Sequence, residues 1–394
     1  MNSYIKKSIL IIICILFPIF VFIGFIFYAN SSYYSSKEIL YFVKANNYNI
    51  LFNFFKKEQT DSRTITLKIK SFNKVKRLRD SCLDKTATLN SDFVQKRKFK
   101  SEIIINNHNY KSKLSLTGKN HDHISKSNWS FKIKSKKEIF GLKKFKLLLP
   151  TTRASKHPIN EFIGHKILEN EGMLNLKYFF INVNLNNNNY IYAVEEAYSD
   201  GFFERNNIKS GLIISSLNNI KRRYKISKKD EKEILDKIKL FQLDSLKVND
   251  IFDVKMTATH YAIADLIDGH HCHWSGNSHY LYNNETKKLM PISREWDSPY
   301  SPKSTLTEGK LFFKDYKIRE KFHTPFMKDS IFIENYKNEL ARISSFEYLK
   351  VFYEKFDSDI KKEYNILNNR YYLIQGDIHY LYDRGEKMKA LLNQ

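Results

Sequence analysis

The stretch from Ala264 to Asp297, ADLIDGHHCHWSGNSHYLYNNETKKLMPISREWD, constrains the chain more than any other. It leaves an amphipathic helix read over 255–267, crosses a His-rich polar loop, and enters a hairpin that ends on an acidic residue. The loop carries Asp268, His270, His271, His273 and Asn277. HYLY at 279–282 has the aromatic and Leu content that suits a pleated surface, NNET turns the chain, and KLMPIS at 288–293 returns it. Asp297 stands just past the second strand.

The N-terminus sets an expectation about compartment. Residues 8–29, SILIIICILFPIFVFIGFIFYA, hold no charge, and at ~1.5 Å per residue such a run reaches about 33 Å, the thickness of a hydrocarbon core. Lys6 and Lys7 precede it, which predicts a single-pass membrane protein with its bulk outside the cytoplasm. A cleaved signal peptide is the competing reading, with YANSS at 28–32 as the cleavage site. The remaining ~365 residues suit one two-lobed domain or two domains. The formal charge of +24 points to anionic headgroups or an anionic surface polymer as partners, with no nucleic acid expected; a Lys-rich, Asn-rich coding bias is the plain alternative. With Cys14, Cys82 and Cys272 far apart, the chain has neither a disulfide framework nor a metal-knuckle spacing.

Taken in order, 31–63 is a juxtamembrane segment, TITLKI at 64–69 a strand, and 71–83 a helix with Phe72, Val75, Leu78 and Cys82 on one face. Residues 97–117 read as a hairpin turning at NNHN. A polar loop after Gly118 and Lys119 gives way to WSFKIK, where Trp129, Phe131 and Ile133 alternate with Ser130, Lys132 and Lys134. Lys132 there can reach a phosphate, or simply line a solvated face. A helix over 159–172 has Glu161 in its first turn and closes at Gly172. A hairpin over 176–198 turns at Asn186–Asn189 and ends in Glu195-Glu196, a pair that ordinarily faces solvent. Residues 220–230 read as a cationic loop, Ser227 as a helix cap, and 329–392 as mostly helical. Strands thus precede about residue 200 and helices follow about residue 230, which predicts an α+β molecule of two lobes with a cleft between.

Several stretches resemble the CotH (spore-coat protein H) family of atypical kinases. LSLTGKNHDHISKSNWSFKIK is similar to that family's strand, Gly-containing loop and Lys-bearing strand. IFGLKKFKLLLPTTRASKHPINEFIGHKILENEGM looks like its next strand and helix, YFFINVNLNNNNYIYAVEEAY like its hairpin ending in Glu, and NSHYLYNNETKKLMPISREWD like its hairpin followed by Asp. The resemblance covers roughly 64–305. It implies a two-lobed protein-kinase-like fold, with a sheet-rich N-lobe over 64–215 and a helical C-lobe over 216–394, behind a membrane anchor over 1–30. It also implies an atypical kinase that moves the γ-phosphoryl group of ATP, with Mg2+, to a protein or surface-polymer hydroxyl. The order helix, loop Asn, hairpin, Asp matches the kinase arrangement in which the last Asp holds metal on the phosphates.

In that reading Asp297 and Asn277 are the metal ligands, Lys132 holds phosphates with Glu161 orienting it, and Gly118 and Lys119 cover the nucleotide. Glu195 and Glu196 fall where a hinge would bind the nucleoside or a second metal. The family's loop Asp, five residues before the Asn, is Cys272 here, which leaves Asp268, His271 or His273 as the base. Two other readings stand beside this one. A catalytically silent relative would bind an anionic polymer or protein through its basic face. A metal hydrolase would use Asp268, His270, His271 and His273, although their spacing lacks helical i, i+4 pairing.

Overall fold

The computed structural model describes residues 63–83, 97–118, 130–150, 159–274, 276–296, 311, 323–368 and 378–394. Seven strands come from the first half: β1 (Thr64–Ile69), β2 (Phe99–Ile105), β3 (His108–Leu116), β4 (Phe131–Ile139), β5 (Leu142–Leu148), β6 (Tyr178–Leu185) and β7 (Asn188–Glu196). They close into a barrel in the order β1-β2-β3-β4-β5-β7-β6. Neighbours are antiparallel except at the seam, where β1 runs parallel to β6 with Thr64 opposite Asn182 and Leu67 opposite Leu185. Alternation puts Ile65, Leu67, Phe131, Ile133, Phe145 and Leu147 inside the barrel. Val75 and Leu78 of α1 (Phe72–Leu83) join that core. Asn-Asn pairs at positive φ make the tight turns of two hairpins, at Asn106-Asn107 and Asn186-Asn187.

The second half is organised around α4 (Val254–Ile267), which follows α2 (Asn160–Asn170) and α3 (Lys228–Gln242). Asp253 caps α4 by accepting the Met256 N–H at 2.9 Å, and the helix is buried from Thr257 to Ile267. α5 (Ser330–Ile343) and α7 (Leu381–Leu392) pack beside it, while α6 (Phe346–Asn368) packs against α2 and β6. Leu148, Phe180, Ile191 and Ala193 on the outer barrel face share this core with Phe162 and Ile163 of α2. A second sheet, in the order β11-β10-β8-β9, is formed by β8 (Gly211–Ser215), β9 (Asn219–Tyr224), β10 (His279–Asn283) and β11 (Lys288–Ile292). Gly164 of α2 lets the chain come close, since a Cβ there would lie 2.8 Å from Cγ of the buried Trp296.

These findings correct the expected two-lobed protein-kinase-like fold. The early strands form no open lobe sheet, because the parallel β1–β6 seam removes both edges and closes a barrel. The helices expected after about residue 230 are present, but a four-stranded sheet stands with them, and part of the expected cationic loop at 220–230 is its edge strand β9. Ser227 does cap α3, accepting the Asp230 N–H at 3.1 Å. The expectation of a single-pass membrane protein with its bulk outside the cytoplasm is also corrected: no helix among the described residues is long and apolar enough to cross a membrane. The run at 8–29, on which that expectation fell, lies outside the described residues.

Candidate functional site

Register places one row of side chains across the barrel wall. Ser115 of β3 stands opposite Lys132 of β4, Lys132 opposite Lys146 of β5, and Lys146 opposite Glu195 of β7. Their strand neighbours Phe131, Ile133, Leu147 and Val194 face inward, so this row faces outward. Lys146 is buried and its Nζ donates to Glu195 Oε1 at 2.5 Å. Arg294, just beyond β11, reaches the same oxygen at 3.0 Å. A carboxylate of 1% side-chain exposure is therefore shared by two cations from different parts of the fold. Lys132 lies half-buried beside them. Burial pushes its pKa below the ordinary lysine value, Arg294 and Lys221 push it further down, and Glu195 pulls it back.

The segment that carries Arg294 is held from behind by the start of α2. Glu161 Oε1 accepts the backbone N–H of Glu295 at 2.7 Å. Asn160 Nδ2 donates to the carbonyls of Trp296 and Ile267, both at 2.8 Å, and Asn160 Oδ1 accepts from the Tyr380 hydroxyl. Glu295 sits at φ 64, a conformation that a non-glycine side chain adopts only when its surroundings enforce it. Its carboxylate lies 3.5 Å from Arg294 and 3.8 Å from Nε2 of His271. His279 of β10 is buried against Tyr198, with ring centroids 5.5 Å apart. Burial, with Arg294 next, keeps its pKa well below the usual histidine value. Three cationic side chains thus converge with three carboxylates where the barrel wall meets the second sheet.

The structure separates the residues expected from the sequence. Lys132, Glu161 and Glu195 belong to this site, but the buried lysine–carboxylate pair shown is Lys146–Glu195, and Glu161 binds the Glu295 backbone. Glu196 points the other way from Glu195, accepting from the Lys177 N–H at 3.1 Å and from Arg205. Gly118 stands at φ 108 just past β3, while Lys119 and Asp297 lie outside the described residues. Asn277 is half-buried and its Nδ2 donates to the His271 carbonyl at 3.4 Å. The loop histidines scatter: His270 pairs with Asp265 at 3.0 Å, His271 faces Glu295, and His273 points into the core against Tyr261. Asp268 ends α4 at φ 57. The hydrolase grouping of Asp268, His270, His271 and His273 is not the metal-ligating group found among the described residues, which is His260, Cys272 and His273.

Reasoning from the sequence missed Lys146, Arg294 and Glu295. The same alternation that singled out Lys132 in WSFKIK is present around Lys146 in FKLLL, so that signal was available. Nothing local marks Arg294, because its partner Glu195 is 99 positions away. The donor set fits a polyphosphate, since clustered Lys and Arg donors with a buried carboxylate behind them are what such a group requires. The chain matches no protein-family model and no curated protein.

Proposed function

We propose that this chain is an ATP-dependent phosphotransferase of the kind its motifs resemble, the CotH-like atypical kinases. It would move a phosphoryl group to a hydroxyl of a protein or surface polymer. The observation that carries the reading is the shared contact of Glu195 with Lys146 and Arg294 beside half-buried Lys132. Lys132 and Lys146 hold the phosphates and Arg294 neutralises charge from the opposite wall, while Glu195 keeps two of these cations in place. Glu161 fixes the backbone that leads to Asp297, and Asp297 with Asn277 supplies hard oxygen ligands suited to Mg2+, which offsets phosphate charge when bound. In the transfer, the bond from the γ-phosphorus to its bridging oxygen breaks, the acceptor hydroxyl oxygen bonds to that phosphorus, and ADP leaves. His271 would take the hydroxyl proton, a reading supported by its half-exposed position beside Glu295, whereas His273 is buried.

A second reading has its own support. Cys272, at the position of the family's loop Asp, is 2% exposed and donates to the Gly269 carbonyl at 3.2 Å, so it offers no base. A silent relative would keep the cation cluster for an anionic partner. Titration calorimetry with Mg-ATP, followed by incubation with γ-labelled ATP and casein or a teichoic-type polymer, tests both. Binding with label transfer that Lys146→Met removes supports the phosphotransferase. Binding without transfer to any acceptor favours the silent relative, and no binding of Mg-ATP refutes the proposal.

A further inference from the structure

Apart from that site, a group of metal-ligating side chains lies inside the helical core. α4 buries Thr257, Thr259 and Asp265 among its apolar residues, and His260 stands in its middle at 5% exposure. The chain reverses after α4 through Asp268 in the left-handed region and Gly269, whose N–H returns to the Ala264 carbonyl at 2.8 Å. The short 3-10 turn His270–His273 therefore folds back along the helix and brings Cys272 and His273, each 2% exposed, against His260. One nitrogen from each histidine and the cysteine sulfur all lie within 4.8 Å of one another. The two imidazole rings meet edge to face with centroids 4.9 Å apart.

The surroundings of His260 match those of a metal ligand. Its Nε2 hydrogen-bonds Ser293 Oγ, while its Nδ1 has no hydrogen-bond partner among the described residues. A ligating histidine normally gives its other ring nitrogen to such a second partner, which fixes the ring and leaves one lone pair for the ion. Two nitrogens and one sulfur select a borderline or soft ion over Mg2+ or Ca2+. Tetrahedral zinc needs ligand atoms about 3.3–3.6 Å apart, so a pair at the 4.8 Å limit must close by about 1.2–1.5 Å on binding.

We propose that His260, Cys272 and His273 form a three-ligand zinc-type site, its fourth position open to a small ligand such as water, that pins the 270–274 turn to α4. This is independent of the phosphotransferase reading, because it uses none of the residues assigned to phosphate. The full chain carrying Cys14→Ser and Cys82→Ser, which leaves Cys272 as the single thiol, is stripped with chelator and titrated with Co2+ alone. The expected result is one equivalent bound, with a thiolate-to-cobalt charge-transfer band and intense visible bands of four-coordinate cobalt, both displaced by Zn2+. Cys272→Ser should abolish the charge-transfer band, and His260→Gln should weaken Co2+ binding at least tenfold. If the chelator-treated, folded protein shows no charge-transfer band at saturating Co2+, the proposal is overturned without recourse to any ligand variant. Cobalt bands that survive Cys272→Ser unchanged overturn it as well.

Discussion

Glu161 Oε1 accepts the backbone N–H of Glu295 at 2.7 Å, so the first turn of α2 fixes the segment that follows β11. Asn160 beside it holds the Trp296 carbonyl at 2.8 Å. Two neighbouring side chains thereby set the backbone from which Arg294 enters the site and at which Asp297 follows. Glu161→Ala orphans a backbone donor and removes a charge-assisted bond, a change that typically costs about 1.5–3 kcal/mol. Urea melts should show that loss. Mg-ATP affinity should fall at least tenfold even under conditions where the variant is fully folded, and unchanged affinity would detach α2 from the site.

Glu195 bridges buried Lys146 and half-buried Arg294 through one oxygen, and that sets an asymmetry between its variants. Glu195→Gln leaves Lys146 and Arg294 facing each other without their carboxylate, and removing one member of a buried ionic group costs roughly 3–5 kcal/mol. Lys146→Met leaves Glu195 still paired with Arg294, so its cost should be clearly smaller. Chemical denaturation of the two variants side by side checks the order. A larger loss for Lys146→Met would mean that Arg294 contributes little to holding Glu195.

Much of this local structure was legible in the sequence. The hairpins over 97–117, 176–198 and 279–293 follow from alternation and Asn-rich turns, and the helix over 159–172 from its buried face and Gly172. What alternation cannot carry is which strand pairs with which. The parallel pairing of β1 with β6 joins Thr64 to Asn182, and that contact closes the barrel. Periodicity within either segment is the same whether the sheet stays open or closes. The same limit applied to the site: Lys132 and Glu195 stood out locally, but their places beside Lys146 and Arg294 depend on register and on a loop brought in from beyond β11. His260 reads as one of several polar residues in a helix until the chain reversal sets Cys272 against it.

Acid should destabilise the protein through its buried histidines. His323 Nδ1 lies 2.6 Å from the Tyr261 hydroxyl and its Nε2 lies 3.0 Å from the His273 carbonyl, a pairing that the neutral ring completes by accepting at one nitrogen and donating at the other. Burial holds its pKa down at about 4, against 6.5 in the unfolded chain. The folded state then binds fewer protons than the unfolded state, so the stabilisation is fully present above pH ~6.5 and is lost as pH falls toward ~4. Its share of the slope is at most about 1.4 kcal/mol per pH unit. Thermal melts of chelator-treated protein between those limits should steepen accordingly, and His323→Gln should flatten them. An equal slope in that variant would assign the acid sensitivity to other groups.

Lys132 gives the sharpest test of the phosphate assignment, because its surroundings lower its pKa and a bound anion would raise it. Its pKa is lowered first by burial and then by Arg294 and Lys221. A polyphosphate placed against it would favour the ammonium form and raise that pKa again. Binding is then coupled to proton uptake above the lowered value. Affinity for Mg-ATP should be constant below it and should fall with rising pH up to the ordinary lysine range near 10.5. Arg in this position stays charged throughout that range, so Lys132→Arg should remove the pH dependence even if its different shape lowers affinity overall. Lys132→Met should lower affinity at every pH, with a flat profile. Calorimetry in buffers of different ionisation enthalpy counts the protons directly: net uptake in the native chain at pH values between the lowered pKa and 10.5, and none in the Arg variant, is the expected outcome. Equal proton uptake in all three proteins would place the phosphates away from Lys132 and leave Lys146 and Arg294 as the anion-binding pair.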